Sequence, residues 1–87
     1  MKITELLQTC SACPSQWEAK LEDGRMLYVR YRWGYLSVCR SSYPTDNVYE
    51  AVGGEEVFGQ QIGDDMNGCM STSEMLSHTG LEMAVTR

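Results

Sequence analysis

Residues 17–40 alternate apolar and polar side chains almost without interruption, and two glycines divide the alternation into three runs. Period-two patterning rich in aromatic and β-branched residues marks strands with one buried face, and glycine marks the turns between them. The length of each turn sets the register, and a slip of one residue moves every side chain of a strand to the opposite face. A two-residue Asp23-Gly24 loop sets Ala19 opposite Tyr28 and Glu18 opposite Val29, mixing apolar and charged residues on one face. A three-residue Glu22-Asp23-Gly24 loop sets Ala19 opposite Leu27 and Trp17 opposite Val29. The apolar pattern selects the second, a type I turn closed by a left-handed Gly24. At the next turn, a two-residue Trp33-Gly34 loop pairs Arg32 with Tyr35, Tyr31 with Leu36 and Val29 with Val38. Both turns then give one core face of Trp17, Ala19, Leu21, Leu27, Val29, Tyr31, Leu36 and Val38. The opposite face carries Glu18, Lys20, Met26, Tyr28, Arg30, Arg32, Tyr35, Ser37 and Cys39.

Around this meander the signals are helical. Ile3, Leu6, Leu7 and Cys10 fall at i, i+3, i+4 and i+7, the apolar stripe of a short amphipathic helix ending before Pro14. Ser71 and Glu74 have capping-box spacing, Met75 and Leu76 supply an apolar side, and Gly80 supplies a stop, so a helix is predicted over 72–79. Residues 41–47 read as a loop. Residues 48–62 are ambiguous; 55–62 fit a helix begun by acids at its positive end, or an edge strand interrupted by Gly59, and the helix is preferred. The predicted fold is therefore α+β, a three-stranded antiparallel β-meander with two or three short helices, in a single domain spanning residues 1–87.

Apolar residues at 43% and charged residues at 22% describe an ordinary globular chain. No stretch reaches the roughly 18 apolar residues that cross a bilayer, and the first residues lack a signal-peptide run, so a cytoplasmic location without membrane contact is expected. Four cysteines in a reducing compartment are expected to be small buried thiols. Cys10 and Cys13 form one C-x-x-C pair while Cys39 and Cys69 stand alone, and a structural zinc site usually draws two such pairs. The net charge is −5, but it is unevenly spread. Lys20, Arg25, Arg30, Arg32 and Arg40 lie in the meander, whereas residues 41–86 hold eight acids and no Lys or Arg. Either the two parts neutralise each other in the fold, or an acidic face meets a basic partner.

Residues 65–74 resemble most of a calcium loop, with Asp65, Asn67, Ser71 and Glu74 at oxygen-ligand positions. The leading position holds Gly63 rather than a carboxylate, and the capping box already accounts for Glu74. No metal or other cofactor is expected. His78 is the only histidine, and nothing in the sequence places a nucleophile beside it, so no catalytic site and no enzymatic activity are expected. Tyr28, Arg30, Arg32 and Tyr35, with Trp33 beside them, form a basic-aromatic set that can stack bases and touch phosphates. The net negative charge opposes nucleic-acid binding, and packing of a helix or of the acidic C-terminal half over this set, pairing Arg30 and Arg32, is the expected arrangement.

The run Cys13-Pro14-Ser15-Gln16-Trp17-Glu18, then Asp23-Gly24-Arg25, then residues 28–36 (YVRYRWGYL) is similar to a pattern in small accessory proteins of bacteriophages and prophages. That resemblance implies a protein that binds and disables host machinery, as inhibitors of a host defence (anti-CRISPR proteins among them) or of a nucleic-acid-processing complex do, and the acidic C-terminal half makes a host protein with a basic surface the expected partner. Glu55, Glu56, Asp64 and Asp65 are the acids expected to carry such an association. The alternative is a small nucleic-acid- or metal-binding module using the Tyr28, Arg30, Arg32 and Tyr35 face or the cysteines.

Overall fold

The computed structural model describes residues 1–10, 15–63 and 69–83. In chain order the elements are β1 (Lys2–Cys10), β2 (Ser15–Leu21), β3 (Arg25–Arg32), β4 (Tyr35–Pro44), α1 (Val48–Val52), β5 (Glu55–Gln61), α2 (Thr72–Thr79) and β6 (Glu82–Met83). They form one six-stranded sheet, ordered β5-β4-β3-β2-β1-β6, that curls into a half-barrel. All neighbours are antiparallel except β6, which runs parallel to β1.

The central meander has the register the turns dictate. Ala19 lies opposite Leu27 and Trp17 opposite Val29, and Gly24 closes its turn at φ 90 with its N–H donated to the Leu21 carbonyl. Across the second hairpin, Val29 faces Val38, Tyr31 faces Leu36 and Arg32 faces Tyr35. All eight residues assigned to the core face are buried.

A three-stranded meander flanked by helices is not what the chain forms, and of the three strands missing from that expectation, β1 and β5 have a common cause. Ile3 pairs with Leu21 and Leu6 with Ala19, so three residues of β1 span two of β2. The β-bulge between them returns Leu6 to the same face as Ile3, and the i, i+3 spacing that imitates a helix is a strand carrying one extra residue. In β5 the same device operates: Phe58 faces Val38 while Glu56 faces Cys39, leaving Val57 as the additional residue. Val57 and Phe58 consequently both pack against the core although they are adjacent in sequence. Residues 55–61 are thus a strand and not a helix. The expected loop after Arg40 is likewise shorter, because β4 continues to Pro44. There Ser41 is fully buried; its Oγ accepts from the Met26 N–H at 2.9 Å and donates to the Tyr43 carbonyl at 2.8 Å, satisfying the ladder where the β3–β4 register shifts.

Helix α2 forms as its caps require. The Ser71 hydroxyl accepts from the Glu74 N–H, the Glu74 carboxylate accepts from Ser71, and Gly80 ends the helix in the left-handed conformation. Met75 from this helix, together with Met70 and Leu81 on either side of it, joins the core cluster over the concave face of the sheet. The Trp17 indole N–H donates to the Thr72 hydroxyl at 3.0 Å, which fastens the start of α2 to β2. The short α1 packs against β3 and β4 with Ala51 buried. No helix among the described residues is long and apolar enough to cross a membrane.

Candidate binding site on the outer face of the sheet

Alternation sends one set of side chains to the core and the other to the convex, outer face. Read across the ladder from β5 to β2, one outer row is Gly59, Ser37, Arg30 and Gln16, and the next is Glu56, Cys39, Tyr28 and Glu18. Arg30 therefore sits mid-sheet with only small residues between it and the β5 edge. The space they leave is a pocket of about 380 Å³ lined by Arg30, Arg32, Trp33, Tyr35, Ser37 and Gln61.

Three features make this pocket chemically distinctive. First, the Nε of Arg30 is buried and has no hydrogen-bond partner among the described residues, and a buried donor without a partner carries its full desolvation penalty, about 1–3 kcal/mol and more for a charged group. Second, the guanidinium of Arg32 lies 5.0 Å from the centre of the Trp33 ring, within cation–π range. Third, Trp33 is 59% exposed and is held at φ 58, the one described non-glycine residue at positive φ. A two-residue hairpin turn of the I′ form needs positive φ at both centres and favours Asn, Asp or Gly there. Tryptophan in that place breaks a local rule, at roughly 1–3 kcal/mol.

The turn that displays Trp33 is clamped by the end of β5. The Gln61 amide donates to the Trp33 carbonyl at 3.0 Å and to the Gly63 carbonyl at 2.7 Å, and the Gly34 carbonyl accepts from Ile62 and Gly63. Tyr35 forms the adjoining wall. Its hydroxyl donates to the Glu56 carboxylate at 3.1 Å, and this hydrogen bond is the main reason its phenol titrates above the usual tyrosine range. The ring crosses directly over Gly59, where an added Cβ would meet the Tyr35 Cζ at 2.9 Å and the Glu56 Oε2 at 2.7 Å. Glycine there permits the close approach, and Gly59 is the seat of Tyr35.

Of the residues singled out in the sequence, Arg30, Arg32 and Tyr35 meet in this pocket, while Tyr28 lies one row away, half-buried between Glu18 and Cys39. Neither Arg30 nor Arg32 has a carboxylate partner among the described residues, so the expected covering of this face by the acidic half is not found there. Neutralisation occurs elsewhere: Lys20 pairs with Asp46, and Arg40 with Glu55 at 3.1 Å. Glu55 and Glu56 are exposed side by side on the edge strand, each already engaged within the chain, by Arg40 and by Tyr35. Asp64 and Asp65 lie outside the described residues, as does Cys13.

Cys10 ends β1, Cys39 lies in β4 and Cys69 precedes α2. Burial, and secondarily Glu56, pushes the Cys39 thiol above its ordinary range. No group of three or more His, Cys, Asp or Glu among the described residues could hold a metal ion. Glu74, the last position of the calcium-loop resemblance, is occupied with the Ser71 cap. Alternation already set Ser37 on this face, but sequence reading missed Gln61 and Gly59 as parts of the site, because their contributions depend on β5 being a strand beside β4. No protein-family model, curated protein or solved structure matches the chain.

Proposed function

We propose that this chain is a non-catalytic binding protein that engages another protein through the outer face of its sheet, with the β3–β4 hairpin tip as the centre of contact. The resemblance to phage accessory proteins supports a binder that acts in a host cell, with an inhibitory role toward a host complex. The observation that carries the reading is Trp33, displayed to solvent at positive φ and flanked by Arg32 and Tyr35. Strain of this kind persists where a site uses it, and Trp, Tyr and Arg are the side chains most enriched at the energetic centres of protein interfaces.

The test separates fold from function by sign. Trp33→Asn relieves the positive-φ strain and loses one exposed cation–π contact of about 0.5–1 kcal/mol, so thermal stability should hold or rise slightly. Affinity capture from bacterial lysate, quantified against wild type, should lose its enriched partner. A Glu55→Lys variant, which leaves the Tyr35–Glu56 hydrogen bond in place, is the comparison for the acidic edge and should retain the partner. Capture unaffected by Trp33→Asn but abolished by Glu55→Lys would transfer the interface to the acids.

A further inference from the structure

The reading above leaves open what the partner presents to the pocket, and here the chemistry of Arg30 is specific. We infer that the pocket receives a carboxylate from the partner protein, an acidic side chain adjoining an apolar residue; the inference rests on the proposed protein-binding function.

An arginine side chain offers an Nε–H and a neighbouring Nη–H that point the same way, and a carboxylate accepts both in parallel. In this chain the Nε–H of Arg30 is buried without an acceptor among the described residues, beside a space of about 380 Å³. A ligand carboxylate entering that space would set an opposite charge beside the Arg30 guanidinium, which has no carboxylate partner among the described residues. Arg32 stands at the same pocket and likewise lacks a carboxylate partner among the described residues, so two guanidiniums face one opening. The Ser37 hydroxyl and the Gln61 amide add neutral polar groups to the lining, and Trp33 and Tyr35 provide flat apolar walls for the residue that carries the acid.

Charge decides between a protein acid and a nucleic-acid phosphate. Affinity for a polyanion grows with the number of phosphates neutralised. Here two arginines at the pocket belong to a chain of net charge −5, and Glu18 and Glu56 lie in the neighbouring row of the same face. A strand of phosphates crossing that face would meet those acids. A single carboxylate confined to the pocket would not.

The experiment observes the arginine directly. The Arg30 Nε–H resonance of the 15N-labelled protein is followed while three probes are added at millimolar concentration: a blocked tetrapeptide with phenylalanine beside glutamate, the same peptide with glutamine, and an eight-nucleotide oligothymidylate. The glutamate peptide should shift the Arg30 Nε–H signal and bind about tenfold or more tighter than the glutamine peptide. Arg30→Lys keeps the charge but lacks the fork, and should lose that preference. Equal binding of the two peptides, no shift with either, or tighter binding of the oligonucleotide each overturns the proposal. Lysate capture separates the two levels. If Arg30→Lys retains the partner that Trp33→Asn loses, the carboxylate pocket fails and the protein-binding reading stands. If Trp33→Asn also retains it, that reading fails.

Discussion

Trp17→Ala is expected to reduce the domain to a marginally folded or unfolded chain. Trp17 is fully buried in β2, and its indole N–H reaches across to the Thr72 hydroxyl at the first turn of α2. Truncating a buried tryptophan typically costs about 3–5 kcal/mol, as transfer free energy and the cavity add. For 87 residues, at roughly 0.05–0.15 kcal/mol per residue, total stability is about 4–13 kcal/mol. One substitution thus removes a large share of it, and a melting temperature lowered by about 15–30 °C is the expected reading in a circular-dichroism melt. Trp17→Phe isolates the hydrogen bond, retaining most of the apolar volume while leaving Thr72 without this donor, and should cost about 1 kcal/mol. If Trp17→Ala melts within about 1 kcal/mol of wild type, α2 is not what closes the concave face, and the core described above is wrong.

Trp17 also illustrates which parts of the fold were legible. Its place on the buried face followed from two turns of known length, because a hairpin register is a local property: Gly24 and Gly34 fix it from a few residues away. The outer strands depend on pairings between distant segments. β5 reaches β4 only after α1, and β6 reaches β1 from the opposite end of the chain. Their patterns are also disguised. The bulge near Thr4 turns a strand's period of two into the spacing of three between Ile3 and Leu6, and the bulge at Val57 places two partly buried residues side by side. A period-based reading has no means of distinguishing an inserted residue from a helical turn when the partner strand is unknown.

The site follows the same division. Alternation alone put Arg30, Arg32 and Tyr35 on one face, and the two-residue turn put Trp33 at the tip. Positive φ at Trp33 was implicit in that turn length, since the I′ form demands it. What converts a face into a pocket is β5: Gly59 beneath Tyr35, Gln61 holding the turn, and open space beside Arg30. The bulge and the paired acids on that same strand are also devices that protect an exposed edge from pairing with another chain. The outer face, and not the edge, is therefore the better surface for a specific partner.

Gly54→Ala is expected to loosen the whole of β5 and, through Gln61, the pocket that β5 supports. Gly54 joins α1 to β5, and its N–H donates to the Ala51 carbonyl at 3.0 Å. A Cβ added there would fall against the Arg40 backbone, 2.8 Å from its carbonyl carbon, and 3.0 Å from the Glu50 carbonyl oxygen. These are main-chain atoms of a central strand and of a helix, so neither can swing aside as a flexible side chain would. The relief available is for β5 to move away from β4 at the point where Arg40 pairs with Glu55. Overpacking of this kind costs about 1–3 kcal/mol, and rigid backbone neighbours favour the upper end. Hydrogen exchange should locate the damage: amides of Glu55–Gln61 should exchange faster, while those of β2 and β3 keep wild-type protection until global unfolding. Because Gln61 clamps the Trp33 turn and Tyr35 leans on β5, partner capture should weaken along with β5 protection. A Gly54→Ala protein with wild-type stability and unchanged exchange in β5 would show that the strand has another way to dock, and that the pocket does not depend on it.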